Sequence, residues 1–140
     1  MGMDAGEGFR HTATIGGAGG NGNTGVNLEL KYKRGWTAEQ RADADMKVKF
    51  LNDSPLTETS TATRSGTSAA ARYRKEVGPI PPGKDVDHKQ DLQLNGADDI
   101  RANGWLLDKS VNRSLGPQIY NQTKSLPLGT RINDVTIKDR

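Results

Sequence analysis

The sequence predicts a small α+β domain, and three observations predict it. Residues 26 to 32 alternate apolar and polar side chains, which is the period of a half-buried strand. Residues 37 to 51 have the cap and spacing of a helix, and residues 85 to 122 indicate a strand, a turn, a second strand and a helix. Because 32% of the 140 residues are hydrophobic and 5% are aromatic, we expect a small core.

The first part of the chain differs in composition from the rest. Residues 1 to 27 are rich in glycine and predict a flexible lead-in or a loose hairpin. We therefore divide the chain into residues 1–34, a lead-in with one possible strand, and residues 35–140, which hold the core. The Gly17–Gly22 segment fits G-x-G-x-x-G, but no helix pattern follows it, so dinucleotide binding has little support.

The clearest helix is predicted over residues 37 to 51. Thr37 is a suitable cap, and Glu39 and Gln40 fall in the first turn. Three apolar residues spaced by four predict a narrow buried stripe, namely Ala42, Met46 and Phe50. After Pro55 a loop rich in serine and threonine extends to about residue 67.

A basic cluster marks the second predicted helix, which begins near Ala69. Residues 71–140 carry twelve Lys and Arg against nine acids, whereas residues 1–70 carry eight of each. Arg72, Arg74 and Lys75 form the densest basic cluster in the second half, and Arg72 and Lys75 would share one helix face. These residues are candidates for binding nucleic-acid phosphates, and the alternative is an ordinary solvated helix face.

The candidate catalytic residues follow a stiff turn at residues 80–83. Asp87 and His88 are adjacent, and Asn103 and Asn112 follow His88 by fifteen and twenty-four residues. Hydrolysis of a phosphodiester needs a base for water and positive charge on the phosphate. His88 is the natural base, while Asp87 and Asn112 offer hard oxygen ligands that suit Mg²⁺.

The predicted strand, turn, strand and helix would bring these residues together. The turn contains Asn95 and Gly96, and Asp108 would cap the helix that carries Asn112. Gly116 and Pro117 should break or kink that helix, so that a second short piece begins near residue 119. Beyond it, the tail from residue 126 predicts a closing strand with apolar residues Ile132, Val135 and Ile137.

These motifs resemble the HNH endonucleases of the ββα-metal, or treble-clef, superfamily. The resemblance covers residues 78–122, and the string from Asp87 to Gly116 is most similar to the HNH toxin domains at the C-termini of bacterial Rhs-type polymorphic toxins. It implies a ββα-metal core with additional helices packed around it. It also implies a metal-dependent endonuclease, acting as the toxin domain of an interbacterial effector of the type VI secretion kind.

The resemblance assigns roles residue by residue. It makes His88 the general base, Asp87 and Asn112 the metal ligands, and Asn103 the residue that ties the two-strand loop together and orients the histidine. Arg113 would stabilise the scissile phosphate or the leaving group, although a solvated helix arginine is an equal alternative. The absence of a His-rich ligand set favours Mg²⁺, with Zn²⁺ or Mn²⁺ as other possibilities.

The strand geometry raises one difficulty for this assignment. Neighbouring strand residues point to opposite faces, so Asp87 and His88 cannot both face one metal from a regular strand. Asp85 shares the face of Asp87 and is therefore the second-ranked ligand.

Partners and location follow from the resemblance. It implies DNA as substrate, a cognate immunity protein, a monomer, and a secreted or injected effector that acts in the cytoplasm of the target cell. The chain has no cysteine, which counts against a zinc deaminase, and no run approaches the roughly twenty apolar residues of a membrane span. The start lacks a signal-segment pattern, so delivery would depend on something outside the chain. A ribonuclease of the same fold and a non-catalytic nucleic-acid-binding module remain open alternatives.

Overall fold

A computed structural model describes residues 25–54, 57–62 and 67–140. Of the lead-in predicted over residues 1–27, residues 1–24 lie outside the described residues. Within the described part, the elements follow in the order β1 (Val26–Lys31), α1 (Ala38–Asp53), α2 (Ala69–Glu76), β2 (Lys84–His88), α3 (Ile100–Asn103), β3 (Gly104–Asp108), α4 (Lys109–Thr123) and β4 (Ile132–Lys138), with a 3₁₀ turn at Leu92–Leu94 between β2 and α3. The α+β class predicted from the sequence is confirmed.

The strands form two small sheets. β1 pairs in parallel with β4, and β2 pairs antiparallel with β3. α1 contacts β4 and β3, while α4 contacts β1, β2 and β3, so each of these helices packs against both sheets. The two helices thereby join the first and last strands of the domain to the β2–β3 hairpin that carries the candidate site.

The sheet of β1 and β4 supplies one side of the core. Leu28 pairs with Val135 and Leu30 with Ile137, and all four side chains are buried. Polar residues alternate with Leu28 and Leu30 along β1, as the sequence pattern predicted. The core therefore extends further toward the N terminus than residue 35.

The outer edge of β1 is covered by two glutamines of α4. The side-chain amide of Gln118 accepts from the backbone N–H of Lys31 at 2.8 Å and donates to its carbonyl at 3.1 Å. Gln122 does the same with Glu29, at 3.1 and 2.9 Å. These amides satisfy the backbone groups that an edge strand otherwise exposes, and they fix α4 along the sheet.

α1 begins as predicted, but its buried face is a different one. Thr37 accepts from the backbone N–H of Gln40, whose side chain accepts from the backbone of Thr37 in a capping box. The predicted stripe of Ala42, Met46 and Phe50 is wrong, since Ala42 is exposed, Met46 is 42% exposed and Phe50 is half-buried. The buried residues are Ala44, Lys47, Val48 and Leu51. Because one of these four residues is a lysine, the spacing of apolar residues alone does not indicate this face.

α4 is continuous through the proline that was predicted to break or kink it, so the predicted break is wrong. Pro117 lies inside the helix. The residues buried along α4 recur every four positions, at Val111, Leu115, Ile119 and Thr123. This buried stripe packs the second half of the helix on the same core as the first half, and packing outweighs the hydrogen bond that proline cannot make.

No helix within residues 25–54, 57–62 and 67–140 is both long and apolar enough to cross a membrane.

Candidate active site

The β2–β3 hairpin and α4 form the strand, turn, strand and helix unit that the sequence predicted. Asp85 lies opposite Leu107 and Asp87 lies opposite Trp105. The Asp108 side chain accepts from the backbone N–H of Val111 at 3.2 Å and caps α4. The unit therefore delivers Asn112 from the first turn of the helix to the hairpin.

The loop that joins β2 to β3 is held by Asn103. Its Oδ1 accepts from the backbone N–H of Gln90 at 2.9 Å, and its Nδ2 donates to the carbonyls of Gln90 at 3.0 Å and Ala97 at 2.8 Å. The backbone carbonyl of Asn103 also accepts from the N–H of Lys89 at 2.7 Å. Asn103 therefore ties the loop together, while its part in catalysis stays a prediction.

Within this loop, Gly96 lies where no side chain fits. A Cβ on Gly96 would lie 1.9 Å from the carbonyl oxygen of Gln90. Asn95 precedes it with a φ of 72°, a left-handed conformation that asparagine adopts more readily than most residues. The Asn95–Gly96 turn predicted from the sequence is thus required by close backbone packing.

One side of the hairpin carries a carboxylate and amide pair. Asn112 Nδ2 donates to Asp85 Oδ2 at 2.8 Å, and Arg113 donates to the same carboxylate from Nε at 3.2 Å and from Nη2 at 3.4 Å. The side chain of Asp85 is 18% exposed and that of Arg113 is 66% exposed. The second-ranked ligand, Asp85, is therefore the carboxylate in contact with Asn112.

Asp87, the first-ranked ligand, is held by a buried lysine. Lys47 Nζ donates to Asp87 Oδ2 at 2.8 Å, and Trp105 Nε1 donates to the same oxygen at 3.1 Å. Lys47 also donates to the backbone carbonyl of His88 and lies 3.8 Å from Asp91 Oδ2. The Asp87 carboxylate thus already has a full cationic partner in α1.

His88 lies in a second cluster, with a carboxylate that the sequence analysis gave no role. Its Nε2 is 2.9 Å from Asp98 Oδ1, and its side chain is 8% exposed. Arg72 Nη2 donates to the same oxygen of Asp98 at 2.7 Å, and Nη1 donates to the Asp98 backbone carbonyl at 3.4 Å. Asp98 stood within the motif string, ten residues after His88, but its spacing alone did not separate it from the neighbouring Asp99.

The basic cluster of α2 is divided by this contact. Arg72 turns inward to Asp98, and its side chain is 16% exposed. Arg74 and Lys75 lie in the last turn of α2 and are exposed. Arg72 therefore belongs to the histidine cluster, and phosphate binding by Arg74 and Lys75 stays a prediction.

The two groups of side chains lie on opposite faces of β2. Strand alternation places Asp85 and Asp87 on one face and His88 on the other. The contacts agree with this, because Asp85 reaches α4, Asp87 reaches α1, and His88 reaches Asp98. The structure therefore brings Asp85, Asn112 and Arg113 together, and separately His88, Asp98 and Arg72.

Asp85 and Asn112 fit a hard divalent cation better than Asp87 does. Asp85 offers a carboxylate, and the Asn112 amide that donates to it from Nδ2 also carries an oxygen that can act as a ligand. Mg²⁺ commonly takes one or two protein oxygens and keeps water in its other positions. Both carboxylates face a cation, but the Arg113 partner of Asp85 is 66% exposed and can turn to solvent, whereas the Lys47 partner of Asp87 is 2% exposed and is fixed in the core. In the described part of the chain, no three His, Cys, Asp or Glu side chains gather as a metal-binding group.

Comparison with known proteins adds no relative to this geometry: no protein-family model and no curated protein matches the chain.

Proposed function

We propose that this chain is a metal-dependent endonuclease of the HNH type that hydrolyses DNA phosphodiester bonds. The observation that carries the proposal is the hairpin and helix unit of β2, β3 and α4. The single strand β2 holds a carboxylate paired with Asn112 and a histidine paired with Asp98. A base and hard oxygen ligands are the two requirements of water-driven phosphodiester cleavage.

Asp85 and Asn112 are the residues we assign to the metal. A bound divalent ion supplies positive charge that a phosphate needs as negative charge develops on its oxygens. Arg113, beside the Asp85 carboxylate and largely exposed, adds a guanidinium that can donate to a phosphate oxygen. Asp87, the ligand ranked first from sequence, holds Lys47 and the hairpin in place.

His88 is the residue we assign to water activation. An ionised carboxylate only accepts hydrogen bonds, so Asp98 beside Nε2 favours the neutral tautomer with its proton on that nitrogen. The lone pair then lies on Nδ1, which becomes the atom that takes a proton from water. Arg72, donating to Asp98 at 2.7 Å, holds that carboxylate in position.

The opposite orientation of the two groups sets a requirement on the substrate. Asp85 and His88 are three residues apart on β2 but project from different faces. Joint action on one phosphate requires the nucleic-acid strand to pass around the end of β2, where His88 is the last strand residue. Separate variants of the two groups therefore decide whether they belong to one site.

The biological setting rests on the resemblance alone. We propose that the chain acts as a toxin domain of an interbacterial effector, that it works in the cytoplasm of the target cell, and that a cognate immunity protein protects the producer. The last point is tested by expressing the chain in a bacterial host together with the gene next to its own. Growth of the host that this second gene restores would support an immunity protein.

Plasmid cleavage tests the proposed activity. The purified chain is incubated with supercoiled plasmid and Mg²⁺, beside EDTA and the variants His88→Ala and Asp85→Asn. Asp139→Asn serves as a matched control, since Asp139 is an exposed acid paired with Arg41 away from the hairpin. We expect nicked and linear plasmid from the parent chain and the control, and loss of cleavage with EDTA or either site variant.

Each other outcome has a distinct meaning. Cleavage that persists in EDTA would refute the metal requirement. Cleavage of RNA but not DNA, in a parallel assay with a structured RNA, would make the chain a ribonuclease of the same fold. Binding of both nucleic acids with no cleavage under Mg²⁺, Mn²⁺ or Zn²⁺ would refute the enzymatic proposal.

A further inference from the structure

A basic cleft lies beside the candidate site, at the start of α4. It has a volume of about 650 Å³ and is lined by residues from the segment after β1, the first turn of α1, the turn before β2, the first turns of α4 and the last described residue. Four of its lining residues are cationic: Lys33, Lys109, Arg113 and Arg140. Asp108 is the one acidic residue in that lining among the described residues.

The single acid does not balance these charges, because one carboxylate faces four cationic side chains. Asp108 accepts from the backbone N–H of Val111 and from Gln40 Nε2 at 3.2 Å. By contrast, Lys33, Lys109 and Arg140 form no ion pair with any residue in the described part of the chain. Three cations that share one concave surface without anionic partners repel one another, so an anionic ligand stabilises them.

Arg113 connects this cleft to the candidate site. Its guanidinium lines the cleft and also donates to Asp85, which contacts Asn112. When one phosphate of a nucleic acid binds at Asp85 and Asn112, the next phosphate along the nucleic-acid backbone would therefore lie toward the cleft. Among the described residues, no comparable contact links Asp85 or Asn112 to Arg74 and Lys75, which lie on α2 on the histidine side of the hairpin.

We propose that the cleft of Lys33, Lys109, Arg113 and Arg140 binds the phosphodiester backbone of duplex DNA next to the cleaved bond. The inference rests on the proposed nuclease function for its substrate, but it concerns binding. Lysine and arginine side chains that contact phosphates give affinity without sequence preference. The cleft, more than the predicted α2 cluster, then supplies the electrostatic part of DNA affinity.

Three double variants test this, each removing one lysine and one arginine that are exposed. Lys109→Gln with Arg140→Gln alters the cleft, Arg74→Gln with Lys75→Gln alters the α2 cluster, and Lys124→Gln with Arg131→Gln is the charge-matched control. All six side chains belong to exposed residues, so the variants should fold, and thermal denaturation verifies this.

Binding is measured by fluorescence anisotropy with a labelled 20-base-pair duplex in EDTA, across a range of NaCl concentrations. We expect the cleft variant to bind the duplex about tenfold or more weakly near 0.1 M salt. The slope of log Kd plotted against log salt concentration should fall by about 1.8, because each lost phosphate contact lowers it by about 0.9. The control should lose much less in both quantities.

The inference is overturned if the cleft variant binds like the control, if the α2 variant shows the larger loss, or if the parent chain does not bind the duplex. Because EDTA prevents metal-dependent cleavage, this result is independent of the plasmid assay. Cleft-dependent binding without any cleavage would refute the nuclease proposal and support the cleft as a DNA-binding surface. Cleavage by the parent chain, together with unaltered binding by the cleft variant, would support the nuclease proposal and refute the cleft.

Discussion

The ammonium of Lys47 lies 2.8 Å from the Asp87 carboxylate, and the lysine side chain is only 2% exposed. A lysine so deeply buried is stable only when its charge is matched and its N–H groups are bonded. Asp87, the backbone carbonyl of His88 and the more distant Asp91 meet this need. The contact fastens α1 to the strand that carries the candidate site.

Replacing Lys47 with methionine should therefore destabilise the protein. Methionine is unbranched and only one atom shorter than lysine, but it leaves Asp87 and Asp91, which are 12% and 13% exposed, without their cation. Removing one partner of a buried pair costs about 3 kcal/mol or more in the free energy of unfolding. Urea denaturation measures this, and an unfolding free energy within about 1 kcal/mol of the parent would contradict the structural role.

The two carboxylates of β2 should separate into a metal ligand and a structural residue. Asp85→Asn is expected to abolish Mg²⁺ binding while it changes the unfolding free energy little, because Asp85 faces the exposed Arg113. Asp87→Asn is expected to lower stability, since it weakens the bond to Lys47. Calorimetric titration with Mg²⁺ and urea denaturation of both variants give the comparison. Loss of metal binding in Asp87→Asn alone would restore Asp87 as the ligand.

Local elements could be predicted from the sequence because their signals lie within a few residues. Thr37 with Gln40, Asp108 with Val111, and the Asn95–Gly96 turn each have their partners nearby in the chain. The period of β1 was likewise visible. These signals fix where elements begin and which strand face is apolar, but they do not identify distant partners.

The side chains that pair in the site are far apart in the sequence, and several other residues carry the same charge as each partner. Lys47 contacts an aspartate forty residues later, and any of several nearby acids had the same charge. Arg72 was predicted to bind phosphate, with a solvated helix face as the alternative, because nothing local distinguishes an outward arginine from one that holds Asp98. The pairing of β1 with β4 joins the two ends of the described fold and has no signal in either strand. The sequence therefore indicated candidate residues for the site but not how their side chains pair.

The contact between His88 and Asp98 should fix the tautomer of the histidine. We expect the neutral form of the ring to carry its proton on Nε2 in the parent chain, and Asp98→Ala to release that form to a mixture of tautomers. Long-range ¹H–¹⁵N spectra of the imidazole report the tautomer directly. The same variant should lower kcat by about tenfold to a hundredfold with an unchanged Mg²⁺ affinity. An unaltered imidazole spectrum would show that Asp98 does not position the ring.

Gly96 should tolerate no side chain. Gly96→Ala places a Cβ against the carbonyl of Gln90, so the loop that Asn103 holds must shift. We expect this shift to lower the free energy of unfolding by about 2 kcal/mol. Gly78→Ala is the matched control, because a Cβ there meets no atom within 4 Å. Urea denaturation compares the two, and equal stability of both variants would contradict the close approach in the loop.

Tyr32 and Asp45 form a half-buried pair that links β1 to α1. The Tyr32 hydroxyl donates to Asp45 Oδ1 at 2.6 Å. Burial, followed by the Asp45 carboxylate, raises the pKa of Tyr32 above its ordinary value of 10, and burial also raises the pKa of Asp45, although the Tyr32 hydrogen bond opposes this. The phenol must therefore stay protonated in the folded protein at a pH where it ionises in the unfolded chain.

The sign of the resulting pH dependence follows from these directions. Because the pKa of Tyr32 is higher in the folded state, its contribution to stability is complete below pH 10 and is lost as the pH rises through the folded-state value. Tyr32→Phe should lower the unfolding free energy at pH 7 by about 1 to 2 kcal/mol, since the Asp45 carboxylate loses its donor. It should also remove the share of the decrease in unfolding free energy above pH 10 that comes from ionisation of Tyr32. Denaturation between pH 7 and pH 11 tests both effects, with Tyr120→Phe as a control because Tyr120 is 54% exposed. An alkaline loss of the same size in Tyr32→Phe as in the parent would contradict the raised pKa.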